Sequence, residues 1–342
     1  MSGQAIAESS LTSDRDQLSD TQSLLRATLL QLLDTTKSTQ PRVIERYQGA
    51  PSASTLAHYK NLNFPIIFRD AVRHWPAHDL WSSQYFRDKM GTELVTVAMT
   101  PDGLADSTKD DLFVTPLEVR RPMSDMLDWL RDPSGDVRYL QLQNGSLDLE
   151  FQPLAGDVDP RGPEWARGTF GHECLSNIWI GNALSKTSLH HDPYENLYVQ
   201  VRGQKRFTLY SPLQYQFLRE ARYRAATYVR DEHGELCIRE TDDGVTVPWL
   251  TLPDDDDDDL PTPSFQVLLQ PGETLYLPAL WFHQVEQVND DEGMCVAVNY
   301  WYDLDYDSEL WRNWKFVRKV SMVAHGRLEE CRHELAEEEE DL

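Results

Sequence analysis

The sequence predicts a mainly β domain, built as a sandwich or barrel, with α-helices before and after it. Short apolar runs rich in β-branched and aromatic residues follow one another from residue 177 to residue 300, separated by glycine and proline residues. That pattern is typical of β-sandwiches and barrels, whereas apolar residues at helical spacing occur near both ends of the chain. The 342 residues are enough to bury a sizeable core.

The N-terminal part is expected to become helical after a disordered start, residues 1–17. A helix is expected to begin near Ser19, because Ser19 and Gln22 have the spacing of a capping box. Apolar residues then share one helical face: Leu18, Leu25, Leu29 and Leu32. We therefore assign residues 18–63 to an N-terminal helical region.

Residues 64–307 are predicted to form the β-rich domain. The predicted strands are residues 65–68, 94–99, 139–142, 177–180, 187–192, 196–201, 206–210, 265–269, 274–277 and 294–300. A helix is expected at residues 123–130, where apolar residues recur at helical spacing. Residues 213–260 are polar and include an acidic run at 254–259, so they are predicted to be an insertion between strands.

The C-terminal segment, residues 308–342, is predicted to be one long helix with an acidic tail. Apolar or small residues recur there in alternating steps of four and three: Leu310, Trp314, Val317, Ser321, Ala324, Leu328, Cys331 and Leu335. Such a stripe packs either on its own domain or on a second copy of the chain, and the sequence leaves both open. The second possibility makes a homodimer a prediction.

Charge and composition limit the classes of partner. The net charge is −25, from 57 acidic and 32 basic residues, which disfavours direct nucleic-acid binding because that needs a basic face. No apolar run approaches the ~18 residues of a membrane helix, and the polar start does not resemble a signal peptide. The four cysteines include no CxxC pair, so reduced thiols are expected. We expect a soluble protein of the cytoplasm, or also of the nucleus.

One predicted strand carries two residues of metal-ligating type. His190 and Asp192 are two residues apart, so their side chains lie on one side of a strand while His191 points away. A second histidine from a distant strand would complete a set of two histidines and one carboxylate. The best candidate is His283, which follows the strand ended by Pro278.

This ligand set predicts a particular chemistry. Three ligands on one face of Fe(II) leave positions for a bidentate 2-oxo acid and for O₂. The far carboxylate of the acid then requires a cationic or hydroxyl anchor. Lys205 starts the second strand after His190, and Thr187 precedes His190 by three residues, so both are candidates. Taken singly, each residue also has an ordinary interpretation: His190 with Asp192 as a solvated pair, Lys205 as a turn residue and His283 as a core histidine. Their order and spacing together favour a site.

The order of these residues resembles that of JmjC-domain proteins of the cupin-like superfamily. Residues 190–203 match the first cupin motif, with Asp192 replacing the second histidine and Asn196 the usual glutamate. Gly272, Pro278 and His283 match the second motif. The resemblance implies a double-stranded β-helix, a jelly-roll fold, with N-terminal helices and a C-terminal helical element.

Longer blocks resemble the lysyl hydroxylases of this family: residues 97–103, 191–198, 275–283 and 299–303. The resemblance implies that His190, Asp192 and His283 bind Fe(II). It also implies a 2-oxoglutarate site whose residues are Lys205, Thr187, Tyr139, Asn196 and Asn299. The implied reaction is hydroxylation of a lysine in a developmentally regulated GTP-binding protein, with consumption of O₂.

Other functions of the superfamily stay open. They are histone-lysine demethylation, proteolysis of histone tails, and a non-catalytic cupin-like binding module. For a lysine substrate, acidic groups at the mouth of the pocket would help to orient the cation. We expect Asp102 and Glu195 in that role, and we interpret Asp106 as an ordinary turn residue.

Overall fold

The computed structural model describes residues 2–241, 244–252 and 262–340, and the side chains of residues 19–241, 244–252, 262–332 and 334–335. The acidic run at 254–259 lies outside these ranges. The α-helices are α1 (Ser2–Thr39), α2 (Ala53–Leu62), α3 (Ala77–Leu80), α4 (Ser83–Met90), α5 (Met123–Arg131), α6 (Ser146–Leu149), α7 (Arg167–Phe170), α8 (Glu309–Ala324) and α9 (Leu328–Glu340). Short 3₁₀ helices span Gln152–Asp157, Glu164–Ala166 and Pro212–Phe217.

The strands are β1 (Arg46–Gln48), β2 (Ile66–Arg69), β3 (Leu94–Thr100), β4 (Leu104–Ala105), β5 (Ser107–Lys109), β6 (Leu112–Thr115), β7 (Leu117–Pro122), β8 (Val137–Tyr139), β9 (Leu175–Gly181), β10 (Lys186–His190), β11 (Tyr194–Arg202), β12 (Gln204–Tyr210), β13 (Arg219–Arg230), β14 (Leu236–Glu240), β15 (Thr246–Thr251), β16 (Phe265–Leu269), β17 (Glu273–Leu277), β18 (Phe282–Val288) and β19 (Cys295–Asp303). No helix in these described ranges is long and apolar enough to cross a membrane.

Two curled sheets enclose the main core. One has the strand order β1–β2–β17–β11–β19–β9, and the other has the order β16–β12–β18–β10–β4. Their inner faces contribute to one apolar cluster, for example Leu197 and Tyr300 from the first sheet and Phe207 and Val285 from the second. The predicted fold, a mainly β, double-stranded β-helix with flanking helices, is confirmed.

Two of the predicted strands end earlier than expected. The strand predicted for 139–142 ends at Tyr139, and Leu140 continues only as an isolated bridge to Ile180. The strand predicted for 187–192 ends at His190, so Asp192 follows the strand instead of belonging to it. The Asp192 carbonyl accepts a hydrogen bond from the Leu280 N–H, which ties this loop to the turn before β18.

The strands of the insertion join β5 and β6 in a third sheet, separate from the two sheets of the barrel. β13 pairs in parallel with β6 and antiparallel with β14 and β15. The ring of Trp249 in β15 packs 4.6 Å from the ring of Phe113 in β6. The insertion is therefore joined to residues 107–115 by strand pairing and by aromatic packing.

The C-terminal segment forms two helices where one was predicted. Gly326 has φ +76°, and the N–H groups of Gly326 and Arg327 bond to the carbonyls of Val323 and Met322. This is a Schellman motif, which ends α8. Trp314 and Cys331 from the stripe are buried against the chain's own residues, so most of the stripe packs on its own domain.

Helix α1 begins well before the start predicted at Ser19. It covers most of the residues predicted to be disordered, 1–17. The segment from Ser2 to Thr39 contains no proline and only one glycine, Gly3, so nothing in it stops a helix. The side chains of residues 1–18 lie outside the described ranges.

Candidate active site

The structure brings His190, Asp192 and His283 together. One possible ligand atom from each residue lies within 4.8 Å of the others. The Asp192 carboxylate oxygen is 3.7 Å from Nε2 of His190 and 3.8 Å from Nε2 of His283. The two histidines are paired across β10 and β18, so the register of these strands sets their approach.

Backbone contacts orient both imidazoles. Nδ1 of His190 lies 2.9 Å from the Ser188 carbonyl, and Nδ1 of His283 lies 3.0 Å from the Trp281 carbonyl. A carbonyl can only accept, so each Nδ1 carries the proton and each Nε2 keeps a free lone pair toward Asp192. Burial, together with the neighbouring His190, lowers the pKa of His283 to about 4, which keeps this imidazole neutral.

His191 points away from this cluster, as predicted. Its ring packs edge-on against Phe282, at 5.0 Å, and against Trp314. Burial lowers the pKa of His191 to about 4. His191 is therefore a neutral core residue beside the candidate metal ligands.

The three residues line a cavity of about 330 Å³ that also contains Lys205. The Lys205 side chain is buried, with 1% exposure, and its Nζ donates a 2.8 Å hydrogen bond to the Tyr139 hydroxyl. Among the described residues, no carboxylate forms an ion pair with it. Burial lowers the pKa of Lys205 to about 8. A buried cation without an anion is costly, so this end of the cavity suits an anionic ligand.

The other predicted cofactor residues line the same cavity: Thr187, Tyr139, Asn196 and Asn299. Asn299 accepts a 2.8 Å hydrogen bond from the Trp179 indole and donates to the Asn196 side-chain oxygen at 3.2 Å. These contacts fix both amides on neighbouring strands β11 and β19. The polar wall opposite the histidines is therefore preformed.

The two acids expected at the pocket mouth lie elsewhere. Asp102 is exposed and pairs with Lys109 at 3.4 Å. Glu195 is buried on the opposite side of β11 and accepts a 2.7 Å hydrogen bond from the Tyr276 hydroxyl. Because residues alternate along a strand, Glu195 points away when Asn196 faces the cavity. Neither carboxylate lines the cavity, against the expectation from the sequence.

Sequence reasoning missed several cavity residues. Asp106, interpreted above as an ordinary turn residue, lines the cavity beside His190. Trp249 of the insertion also lines it, with its ring 6.4 Å from the His190 ring and nearly parallel to it. Trp179 and Tyr198 complete the wall around Lys205. Strand alternation from Asn196 identifies Tyr198, whereas no local signal identifies Trp249.

Comparison with known proteins agrees with this architecture. A family model described as a cupin-like domain matches residues 52–308. The bifunctional peptidase and (3S)-lysyl hydroxylase JMJD7 of Homo sapiens is 41% identical over 254 residues, covering 72% of this chain and 79% of the relative.

Two further relatives extend the comparison to other kingdoms. JmjC domain-containing protein E of Dictyostelium discoideum is 31% identical, covering 77% of this chain and 84% of the relative. Lysine-specific demethylase JMJ32 of Arabidopsis thaliana is 33% identical, covering 77% and 83%. The chain has a cupin-like barrel whose cavity is lined by two histidines and an aspartate. Together with these matches, this shows that the chain belongs to the JmjC family of cupin-like oxygenases.

Proposed function

We propose that the protein is an Fe(II)- and 2-oxoglutarate-dependent protein lysyl hydroxylase. One observation carries the proposal: a triad of metal-ligating residue types and a buried lysine that forms no ion pair with any described residue line the same cavity. The identity of 41% to a protein named a lysyl hydroxylase supports the choice of lysine.

The donor set fits Fe(II). Two neutral imidazole nitrogens and one carboxylate are the ligands typical of non-haem iron oxygenases, and they leave positions open. His190, Asp192 and His283 would hold the metal, and the Ser188 and Trp281 carbonyls would keep the imidazoles in the ligating tautomer.

Lys205 and Tyr139 would hold the distal carboxylate of 2-oxoglutarate. The Lys205 ammonium and the Tyr139 hydroxyl are already joined by a hydrogen bond, so both are fixed before an anion arrives. Thr187, Asn196 and Asn299 line the same cavity and would supply further polar contacts. The iron and the 2-oxo acid, when bound, supply the oxidation of a substrate C–H bond by O₂, with release of succinate and CO₂.

The chain's own contribution is orientation and exclusion of water. The rings of Trp179, Tyr198 and Trp249 line the cavity, which lowers the local water content and strengthens the electrostatic contacts inside it. The strands hold the metal ligands and the cofactor residues in fixed register, so one substrate carbon is presented in one geometry.

The proposed substrate is a lysine in a GTP-binding protein of the developmentally regulated family. Resemblance to the lysyl hydroxylases supports this choice, and the net charge of −25 suits a cationic partner. A homodimer and a cytoplasmic or nuclear location also stay proposals. Because the C-terminal stripe packs largely on its own chain, a dimer would need another surface.

A demethylase is the second candidate, since the Arabidopsis relative is named a lysine-specific demethylase. The name of the human relative also includes a peptidase. A demethylase and a peptidase would make different products from a hydroxylase, and a non-catalytic module would make none. The same assay therefore separates all four.

The test measures succinate with Fe(II), 2-oxoglutarate and O₂, with and without a lysine peptide from such a GTP-binding protein. We expect peptide-stimulated succinate and a peptide gain of 16 Da, both absent in His190→Ala. Formaldehyde from a methyl-lysine peptide would favour the demethylase, and shortened peptides would favour the peptidase. Bound iron without turnover would favour the binding module.

A further inference from the structure

Asp106 is tied directly to the strand that carries His190. It occupies the bend between β4 and β5, and its carbonyl accepts a 2.6 Å hydrogen bond from the Ser188 hydroxyl. β4 pairs in parallel with β10, with Ala105 opposite Thr187. Asp106 therefore lies beside Ser188, two residues before His190, and it lines the same cavity.

The Asp106 carboxylate is held in place without a cation of its own. Gln141 donates a 3.1 Å hydrogen bond to Oδ2, and among the described residues no donor reaches Oδ1. No lysine or arginine in those ranges forms an ion pair with Asp106. Its backbone has φ +51°, a conformation that aspartate and asparagine tolerate better than most residues.

Asp106 also stands between the metal cavity and a second one. That cavity, of about 510 Å³, shares Asp106, Gln141 and Gln143 with the first and has Glu118 on its wall. A substrate side chain that entered through the second cavity would pass Asp106 before reaching His190. A fixed, uncompensated carboxylate on that route suits a positively charged group.

We propose that Asp106 binds the ammonium group of the substrate lysine and thereby sets which methylene carbon faces the metal. This inference rests on the proposed function. It assigns to Asp106 the role that the sequence suggested for Asp102 and Glu195.

The position of Asp106 agrees with hydroxylation inside the side chain. Asp106 lies beside Ser188, two residues before the candidate metal ligand His190, so a cation bound to Asp106 is displaced from the metal. In a demethylase the reacting methyl group is bonded to the nitrogen, so the cation lies next to the metal. The name of the human relative specifies carbon 3 of lysine. Three methylene groups lie between that carbon and the side-chain nitrogen, so the ammonium group lies away from the metal when carbon 3 faces it.

The test uses the full chain loaded with Mn(II) and N-oxalylglycine, an unreactive analogue of 2-oxoglutarate. Fluorescence anisotropy measures the Kd of one peptide with its target lysine either free or acetylated. In Asp106→Asn we expect the Kd of the free-lysine peptide to rise about ten- to a hundredfold, as for loss of a charge-assisted hydrogen bond. The Kd of the acetylated peptide should not change.

Asp102→Asn is the matched control, because it removes an acid from the same loop that is exposed and paired with Lys109. It should leave both Kd values unchanged. In the active Fe(II) enzyme, Asp106→Asn should raise KM more than it lowers kcat and should scatter hydroxylation over several carbons, as read by fragment mass spectrometry. A merely structural role would not move the site of hydroxylation. Equal melting temperatures and metal contents verify that the variants fold.

The outcomes separate the two proposals. A preference for free over acetylated lysine that is lost in Asp106→Asn, in a protein that does not hydroxylate the peptide, would overturn the proposed function and leave Asp106 assigned to ammonium binding. No preference in the wild type, or an unchanged preference in Asp106→Asn, would overturn the assignment. An equal loss in Asp102→Asn would also overturn it, because the effect would then be one of general charge.

Discussion

The Lys205 ammonium donates a 2.8 Å hydrogen bond to the Tyr139 hydroxyl at the closed end of the cavity. Aromatic rings surround the cation, with the Tyr139 and Tyr198 ring centres both 5.3 Å from Nζ. Cation–π contacts offset part of the cost of burying the charge, but they do not replace an anion. This pair is therefore prepared for the carboxylate of a ligand.

Removing this cation should abolish tight binding of the 2-oxo acid. For Lys205→Met in protein loaded with Mn(II), we expect the Kd of 2-oxoglutarate to rise about a hundredfold or more, because a buried carboxylate would lose its charge-assisted partner. Isothermal titration calorimetry measures it. Lys205→Arg keeps the charge and is the control. A Kd unchanged in Lys205→Met would contradict the anchoring role.

Binding of the acid should weaken at high pH. Burial lowers the pKa of Lys205 to about 8, and only the protonated form attracts the carboxylate. Above that pH the Kd should rise, approaching about tenfold per pH unit. Lys205→Arg should give a flat profile over pH 7–10, since arginine stays charged there. A wild-type profile as flat as that of the variant would count against the prediction.

The same pKa shift has a consequence for the stability of the apoprotein. Between pH about 8 and the ordinary value of 10.5, the unfolded chain keeps a proton on Lys205 that the folded chain has lost. Stability rises with pH wherever the unfolded state binds more protons. The Lys205 contribution to the free energy of unfolding should therefore increase across that window, and Lys205→Met should remove it. Urea denaturation at several pH values measures the difference.

The convergence of His190, Asp192 and His283 could be predicted because it depends on local alternation and on motif order. His190 and Asp192 required only the two-residue repeat of a strand, and the pairing of His283 followed from the cupin motif. Strand β10 ends before Asp192, yet the side chains still converge, because the loop is tied to Leu280.

Asp106 and Trp249 could not be predicted in the same way. Asp106 reaches the cavity through the parallel pairing of β4 with β10, and Asp102, four residues earlier, does not reach it. Both belong to a loop in which Gly103 and Asp106 have positive φ, so alternation does not specify where side chains point. Trp249 depends on β15, which pairs with β13 across a long connection.

Substitution of His190 should weaken metal binding, whereas substitution of its neighbour His191 should not. His190→Ala should lower the affinity for Mn(II) about a hundredfold or more, since even outer contacts of metal ligands are worth ten- to a hundredfold. His191→Leu should keep the metal, because that ring packs on Phe282 and Trp314. Electron paramagnetic resonance of free Mn(II) gives both affinities. A comparable loss in His191→Leu would contradict the assignment of the triad.

Gly326, which lies between α8 and α9, should contribute to the stability of the folded chain. Gly326→Ala should cost about 1 kcal/mol, because φ is +76° there and a β-carbon is strained in the left-handed region. Gly326→Asn should lower the free energy of unfolding by less, because asparagine tolerates that region. Thermal or urea unfolding measures the stability of the two variants and the wild type. Stabilisation by Ala would instead favour one continuous helix, as the sequence predicted.

Trp249 should couple turnover of the oxo acid to substrate hydroxylation. Its ring lies against His190 and is backed by Phe113, so Trp249→Ala opens the cavity to water without removing a metal ligand. We expect KM for the lysine peptide to rise several-fold and the ratio of hydroxylated peptide to succinate to fall, because a looser cavity positions the reacting carbon less well.

Trp249→Phe keeps an aromatic wall and is the matched control, so it should retain most of the coupling. The Kd for Mn(II) should stay unchanged in both variants, which separates loss of the wall from loss of the metal. If Trp249→Ala kept both the wild-type KM and the wild-type ratio, the insertion would have no part in forming the substrate site. The pairing of β13 with β6 would then serve only to hold the insertion against the domain.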